Sequence, residues 1–340
     1  MRMKRVIGAS LFGGAMVGLA GLAGAKSAGR KVRKQQRPEI DELLVPPSDV
    51  THRTLPAADG GSIHLIDTGE GRPVVLMHGV TLQWWVWSAT IRLLRERYRV
   101  IAWDMRGHGA SVAGRHGVTL EDAARDLAEV LETLDLRDCI IVGHSMGGMV
   151  AGRFAAHHPD VLVERVSGLL FLATSAAPLS IKGLAGGLSA SAGVVARLGK
   201  ASVRAPRLAY HWRDTDISAA MVRLAFGHHP TAQMVGDVRK MLAETSNETL
   251  AESGIAIADH DVRDELAAVA VATMVVVGDQ DRLTPAGHAR ALAELVPGTE
   301  LVVLPGVGHQ VMQEAPADLV AATDQLAARA PAATKRSASR

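Results

Sequence analysis

Seven short apolar runs, spaced by amphipathic stretches, constrain this chain more than any other feature. They fall at residues 63–67, 73–77, 99–103, 138–142, 169–172, 274–277 and 300–304. The first reads as an edge strand. The others are nearly continuous in Val, Ile and Leu, which suits strands buried on both faces of a parallel sheet. Helical patterns lie between them, at 88–97, 119–134, 149–157, 286–295 and 317–329. The clearest begins at Thr119, an N-cap with Asp122 three residues on, and lines Ala123, Leu127, Val130, Leu131 and Leu134 along one face. This alternation predicts a doubly wound α/β domain over residues 54–329, with active residues at the carboxyl ends of its strands.

One stretch breaks the rhythm. Residues 176–257 contain no buried strand run and are helical only in patches, at 217–225 and 232–245. Their length and their place between two strands predict a helical cap inserted over the active site. Met221, Met234 and Met241 in this stretch are expected to pack its core.

The two ends read differently. Residues 1–37 hold nine Lys/Arg and no acid, while residues 45–324 carry 24 basic and 32 acidic residues. The folded part is therefore acidic, which argues against nucleic acid as a partner. Residues 6–25 form an apolar run with Ser10 as its only polar side chain. A transmembrane helix, a signal peptide cut near Ala25 and a membrane-surface segment all fit it. Gly14 and Gly18 supply a G-x-x-x-G spacing, and the heavier positive charge after the run favours a cytoplasmic C-terminal side. The preferred expectation is a membrane anchor carrying a cytoplasmic domain, with export after signal cleavage as the alternative. Residues 38–53, with Pro38, Pro46 and Pro47, read as a linker, and residues 330–340 as a disordered basic tail. The single cysteine, Cys139, excludes an intrachain disulfide.

The chemistry concentrates at Gly143-His144-Ser145-Met146-Gly147-Gly148, which follows the run 138–142 and opens a helix. G-x-S-x-G between a buried strand and a helix is a nucleophile elbow: a sharp turn lifts the serine hydroxyl above the sheet. A hydroxyl needs a base at neutral pH. At such elbows an acid and then a histidine follow in chain order. His309, in Gly306-Val307-Gly308-His309 after the last strand, is placed for the base. The preceding strand ends in Gly278-Asp279-Gln280-Asp281, and spacing alone does not choose between its two carboxylates. An oxyanion hole needs backbone N–H donors. Met146, next after the nucleophile, supplies one, and Val80, in His78-Gly79-Val80-Thr81, the other. His78 is expected to shape that loop, not to act as a base.

These blocks, with Asp104-Met105-Arg106-Gly107-His108-Gly109-Ala110-Ser111, resemble the α/β-hydrolase superfamily over roughly residues 54–329. The resemblance implies that Asp104, Arg106 and His108 brace the loops around the site. It implies that the acid is Asp281, three residues after the turn glycine and ahead of Thr284-Pro285. A serine at position 145, where dehalogenases and most epoxide hydrolases of this fold carry aspartate, implies acyl transfer.

The expected reaction is hydrolysis of a small-molecule or lipid carboxylic ester, of esterase or lipase type. The same triad also serves carbon–carbon bond hydrolases and cofactor-free haloperoxidase-like perhydrolases, and some members of the fold are non-catalytic binding proteins. Trp84 and Trp85 are candidates for an apolar acyl wall. The adjacent pairs His157-His158 and His228-His229 lack metal-ligand spacing, and no phosphate loop is present, so neither a metal nor a cofactor is expected.

Overall fold

The computed structural model describes residues 36–179, Ala219 and residues 222–330. Their apolar runs form one eight-stranded sheet: β1 (Thr51–Pro56), β2 (Ser62–Thr68), β3 (Arg72–Met77), β4 (Tyr98–Trp103), β5 (Cys139–His144), β6 (Val166–Leu172), β7 (Ala272–Gly278) and β8 (Glu300–Leu304). The spatial order is β1-β2-β4-β3-β5-β6-β7-β8. β2 runs antiparallel to both β1 and β4, and all other pairs are parallel. β2 is thus not the edge. That place belongs to β1, whose side chains are almost all exposed and which left no apolar trace in the sequence.

The period of two along the strands divides the core. Val74, Leu76, Ile140, Val142, Met274 and Val276 face one layer, with α2 (Ser88–Leu94) and α10 (Pro316–Arg329). Val75, Met77, Ile141, Phe171, Val275 and Val277 face the other, with α3 (Leu120–Thr133), α4 (Met146–His157) and α8 (Ala286–Leu295). α3 begins as expected: the Thr119 hydroxyl accepts the Asp122 N–H at 3.0 Å. A further helix, α5 (Pro159–Arg165), follows α4.

Three expectations are corrected or bounded here. The stretch read as a linker contains α1 (Pro38–Leu44) and the start of β1. Leu44 is buried in the core, and Thr231 donates to Asp41 of this helix at 2.5 Å. The expected transmembrane helix is corrected for the described residues, among which no helix is long and apolar enough to cross a membrane. The longest have 14 residues, against about 20 for a span. Residues 6–25, on which that expectation rested, lie outside the described residues, as do 180–218, Met221 and 331–340. Of the expected insertion, α6 (Ala232–Glu244) and α7 (Asn247–Ala258) are described, with Met234 and Met241 buried as core.

β4 lies on one side of β3 and β5 on the other, so the chain turns opposite ways as it leaves them. The crevice opened at their carboxyl ends is where an α/β sheet places its site. One brace behind it is Arg106, which is 2% exposed. It donates to both carboxylate oxygens of Asp126 at 2.8 and 2.9 Å, to Asp59 at 3.2 Å and to the Gly117 carbonyl at 2.8 Å. Arg106→Met strands two buried carboxylates. It is expected to lower folding stability by about 3–5 kcal/mol, read as a lower urea midpoint at unchanged slope.

Candidate active site

Ser145 follows β5 directly with φ +52° and ψ −116°, a left-handed conformation costly for a residue with a Cβ. The surroundings hold it there. Its N–H donates to the Leu172 carbonyl at the end of β6, 2.9 Å away, and its carbonyl accepts from the Thr174 hydroxyl at 2.7 Å. The turn is tight enough to require glycine on both sides. A Cβ on Gly143 would stand 2.6 Å from the Gly147 carbonyl oxygen, and one on Gly147 would stand 2.4 Å from that of Met77. α4 begins at Met146, so the positive end of a helix abuts the serine.

The loop after β3 crosses the elbow closely. A Cβ on Gly79 would lie 3.1 Å from the Ser145 Cβ. His78 fixes this loop. Its Nε2 accepts the Met105 N–H at 3.0 Å, so Nδ1 carries the proton and donates to the Gly79 carbonyl at 2.7 Å. Complete burial pushes this ring down to about 3, and it stays neutral. Asp104 fixes the other end, accepting from the Trp84 N–H at 2.8 Å, the Ala110 N–H at 3.0 Å and His64 at 2.8 Å.

Asp281 and His309 meet at the ends of β7 and β8. His309 Nδ1 donates to Asp281 Oδ2 at 2.8 Å, and both residues are 4% exposed. Asp281 also accepts the Leu283 and Thr284 N–H groups, at 2.8 and 2.9 Å, and the Thr284 hydroxyl at 2.7 Å. Burial alone would raise this carboxyl. The His309 ring and the Thr284 donors overcome that and hold it below the usual range, as a carboxylate. Asp279 points elsewhere: it is exposed and accepts the Gly306 N–H at 2.7 Å, tying the two loops together.

Ser145 and His309 open onto one cavity of about 330 Å³. Gly79, Val80 and Leu82 line it from the β3 loop, Val238 and Leu242 from α6, and Ile257 from α7. Trp84 and Trp85 do not line it, which corrects their expected role. The short 3₁₀ turn Trp84–Trp87 directs them away: Trp84 is buried edge-on to His52, and Trp85 lies under Lys240 at 5.4 Å. Among the described residues no group of three or more His, Cys, Asp or Glu is arranged to hold a metal ion.

One residue of the site escaped the sequence reading. His144 lines the cavity beside Ser145, and its Nε2–H donates to the His309 carbonyl at 2.9 Å. The rings stand 4.7 Å apart, and burial holds His144 well below the ordinary histidine value, so it is neutral. The only signal was a histidine at the first variable position of the elbow.

Residues 72–316 match the family described as the alpha/beta hydrolase fold. A non-heme haloperoxidase of Rhodococcus erythropolis is 31% identical over 74% of this chain and 91% of its own. The AB hydrolase superfamily protein YisY of Bacillus subtilis is 29% identical over 73% and 88%. A thermophilic esterase from Thermogutta terrifontis superposes with a TM-score of 0.68 at 26% identity, over 83% and 99% of the two chains. The chain belongs to the α/β-hydrolase family, and it is a hydrolase.

The buried neutral rings give the molecule an acid-side weakness. A depressed histidine contributes stability that is complete above its unfolded value near 6.5 and is lost as pH falls towards its folded value. For His78 that window runs from about 6.5 down to about 3. Urea denaturation between pH 7 and pH 4 is expected to show stability falling by up to about 1.4 kcal/mol per pH unit for each such ring. His78→Gln, which keeps an acceptor near the Met105 N–H, is expected to lessen that slope by one proton.

Proposed function

We propose that the protein hydrolyses carboxylic esters through an acyl-enzyme on Ser145, with His309 as general base and Asp281 as its orienting carboxylate. The observation that carries this reading is the Asp281–His309 hydrogen bond of 2.8 Å, opening with Ser145 on one cavity. With Nδ1 held by Asp281, the Nε2 lone pair is left to take the Ser145 Oγ proton as Oγ bonds the ester carbon. The oxyanion is received by the backbone N–H groups of Val80 and Met146. His309 then returns its proton to the alkoxy group, the C–O bond breaks and the alcohol leaves. Water repeats the sequence: it gives a proton to Nε2, attacks the acyl carbon and releases the acid and free Ser145. Asp281 stays ionised throughout.

The cavity supports a neutral substrate of modest size. Apart from histidine, none of its described lining residues is ionisable, so an acidic substrate finds no counter-ion there. Its volume equals that of roughly ten water-sized groups. The helices α6 and α7, as part of a cap over residues 176–257, supply much of the apolar wall.

A second reading, perhydrolysis, is supported by the likeness to the Rhodococcus haloperoxidase. Hydrogen peroxide in place of water attacks the same acyl carbon, loses its proton to His309 and leaves as a peracid. Bromination of monochlorodimedone in acetate, bromide and peroxide measures that branch.

With p-nitrophenyl esters, kcat/KM is expected to peak at short to medium acyl chains, above both palmitate and a succinate half-ester. Ser145→Ala is expected to abolish turnover and fluorophosphonate labelling, and Asp281→Asn to lower kcat by about 10⁴-fold. Labelling that survives in Ser145→Ala sinks the assignment.

A further inference from the structure

The loop that carries His309 is not held by the sheet alone. Residues 225–228, within the insertion and just ahead of α6, run beside residues 306–309. His309 N–H donates to the Ala225 carbonyl at 2.8 Å, and His228 N–H to the Gly306 carbonyl at 2.9 Å. The approach leaves no room for side chains. A Cβ on Gly227 would stand 2.1 Å from the Gly306 carbonyl oxygen, and one on Gly308 would stand 2.3 Å from the Gly227 nitrogen.

Glu314, at the end of α9 (Val311–Glu314), joins the two segments. Its Oε2 accepts the Gly227 N–H at 2.7 Å and its Oε1 the Gly308 N–H at 3.0 Å. The Gln310 backbone N–H also favours the ionised form of this carboxylate. One side chain therefore takes the N–H that precedes His309 and one from the insertion. Such a carboxylate is costly: burial raises it to about 7, against the pull of those three donors and of Arg223. A carboxylate provides four acceptor sites, more than a neutral amide oxygen. Glutamine in its place must also turn an N–H₂ towards one of the N–H donors.

We propose that Glu314 is a positioning residue that locks the His309 loop to the segment of the insertion just ahead of α6 and so sets where the base stands over Ser145. Glu314 does not line the cavity, so its effect falls on kcat and not on substrate binding. The inference rests on the reading of Ser145 and His309 as nucleophile and base.

The test compares wild type, Glu314→Gln and Glu314→Asp on p-nitrophenyl butyrate, with active sites counted by end-point fluorophosphonate labelling. Glu314→Gln is expected to lose about ten- to a hundredfold in kcat per labelled site, with KM within threefold. Glu314→Asp keeps the charge one methylene short and is expected to recover part of that loss. A brace that serves folding alone lowers the melting temperature and the labelled fraction but leaves kcat per labelled site unchanged. That result in Glu314→Gln overturns the latch while the assignment of Ser145 and His309 stands. If Glu314→Gln does not fold, Glu314→Asp carries the comparison. If wild type itself is neither labelled nor active, the assignment fails and the latch falls with it.

Discussion

The strained turn at Ser145 is the constraint on which the rest depends. A positive φ at a residue with a Cβ persists only where neighbours over-determine it. Here β6 supplies an acceptor at Leu172, Thr174 clamps the Ser145 carbonyl, and Gly143 and Gly147 admit backbone where any side chain would collide. The same crowding fixes the loop after β3, since Gly79 passes directly over the elbow. Position in the sheet, glycine placement and serine exposure are thus one requirement.

Charge around that turn is rationed by burial. His78 and His144 are neutral because burial outweighs what their surroundings offer a proton; His78 gives both ring nitrogens to backbone groups, and His144 gives Nε2–H to the His309 carbonyl. Asp281 is the exception. Four donors within hydrogen-bonding distance keep it ionised despite its burial. A carboxylate so satisfied can orient His309 and stabilise an imidazolium without itself taking the proton.

Legibility in the sequence followed locality. The strand–elbow–helix unit, the N-cap at Thr119 and the buried strands themselves were readable because each is written in a few consecutive residues. Asp281 was not separable from Asp279 by spacing, since both follow the same glycine. The family resemblance pointed to Asp281, and in the structure the Thr284 donors and the reach to His309 distinguish it from Asp279. Trp84 and Trp85 were misplaced because closeness in sequence to the β3 loop does not give direction, and a 3₁₀ turn rotates them out of the cavity. α1 was hidden by prolines that mark a helix start as readily as a linker, and β1 by its exposed, polar side chains.

The cavity was the least readable part for a physical reason. Its walls come from the β3 loop, α6, α7 and the loops of Leu283 and His309, which no local pattern joins. The insertion that supplies much of its apolar surface also passes beside the His309 loop at residues 225–228, just ahead of α6. A change that reseats α6 therefore pulls on the segment hydrogen-bonded to His309. The cavity wall and the His309 loop share a backbone here. A pocket of this design varies its specificity most freely at side chains such as Val238 and Leu242, which line the wall from a helix, and least at Gly227 and Gly308, where the two backbones touch.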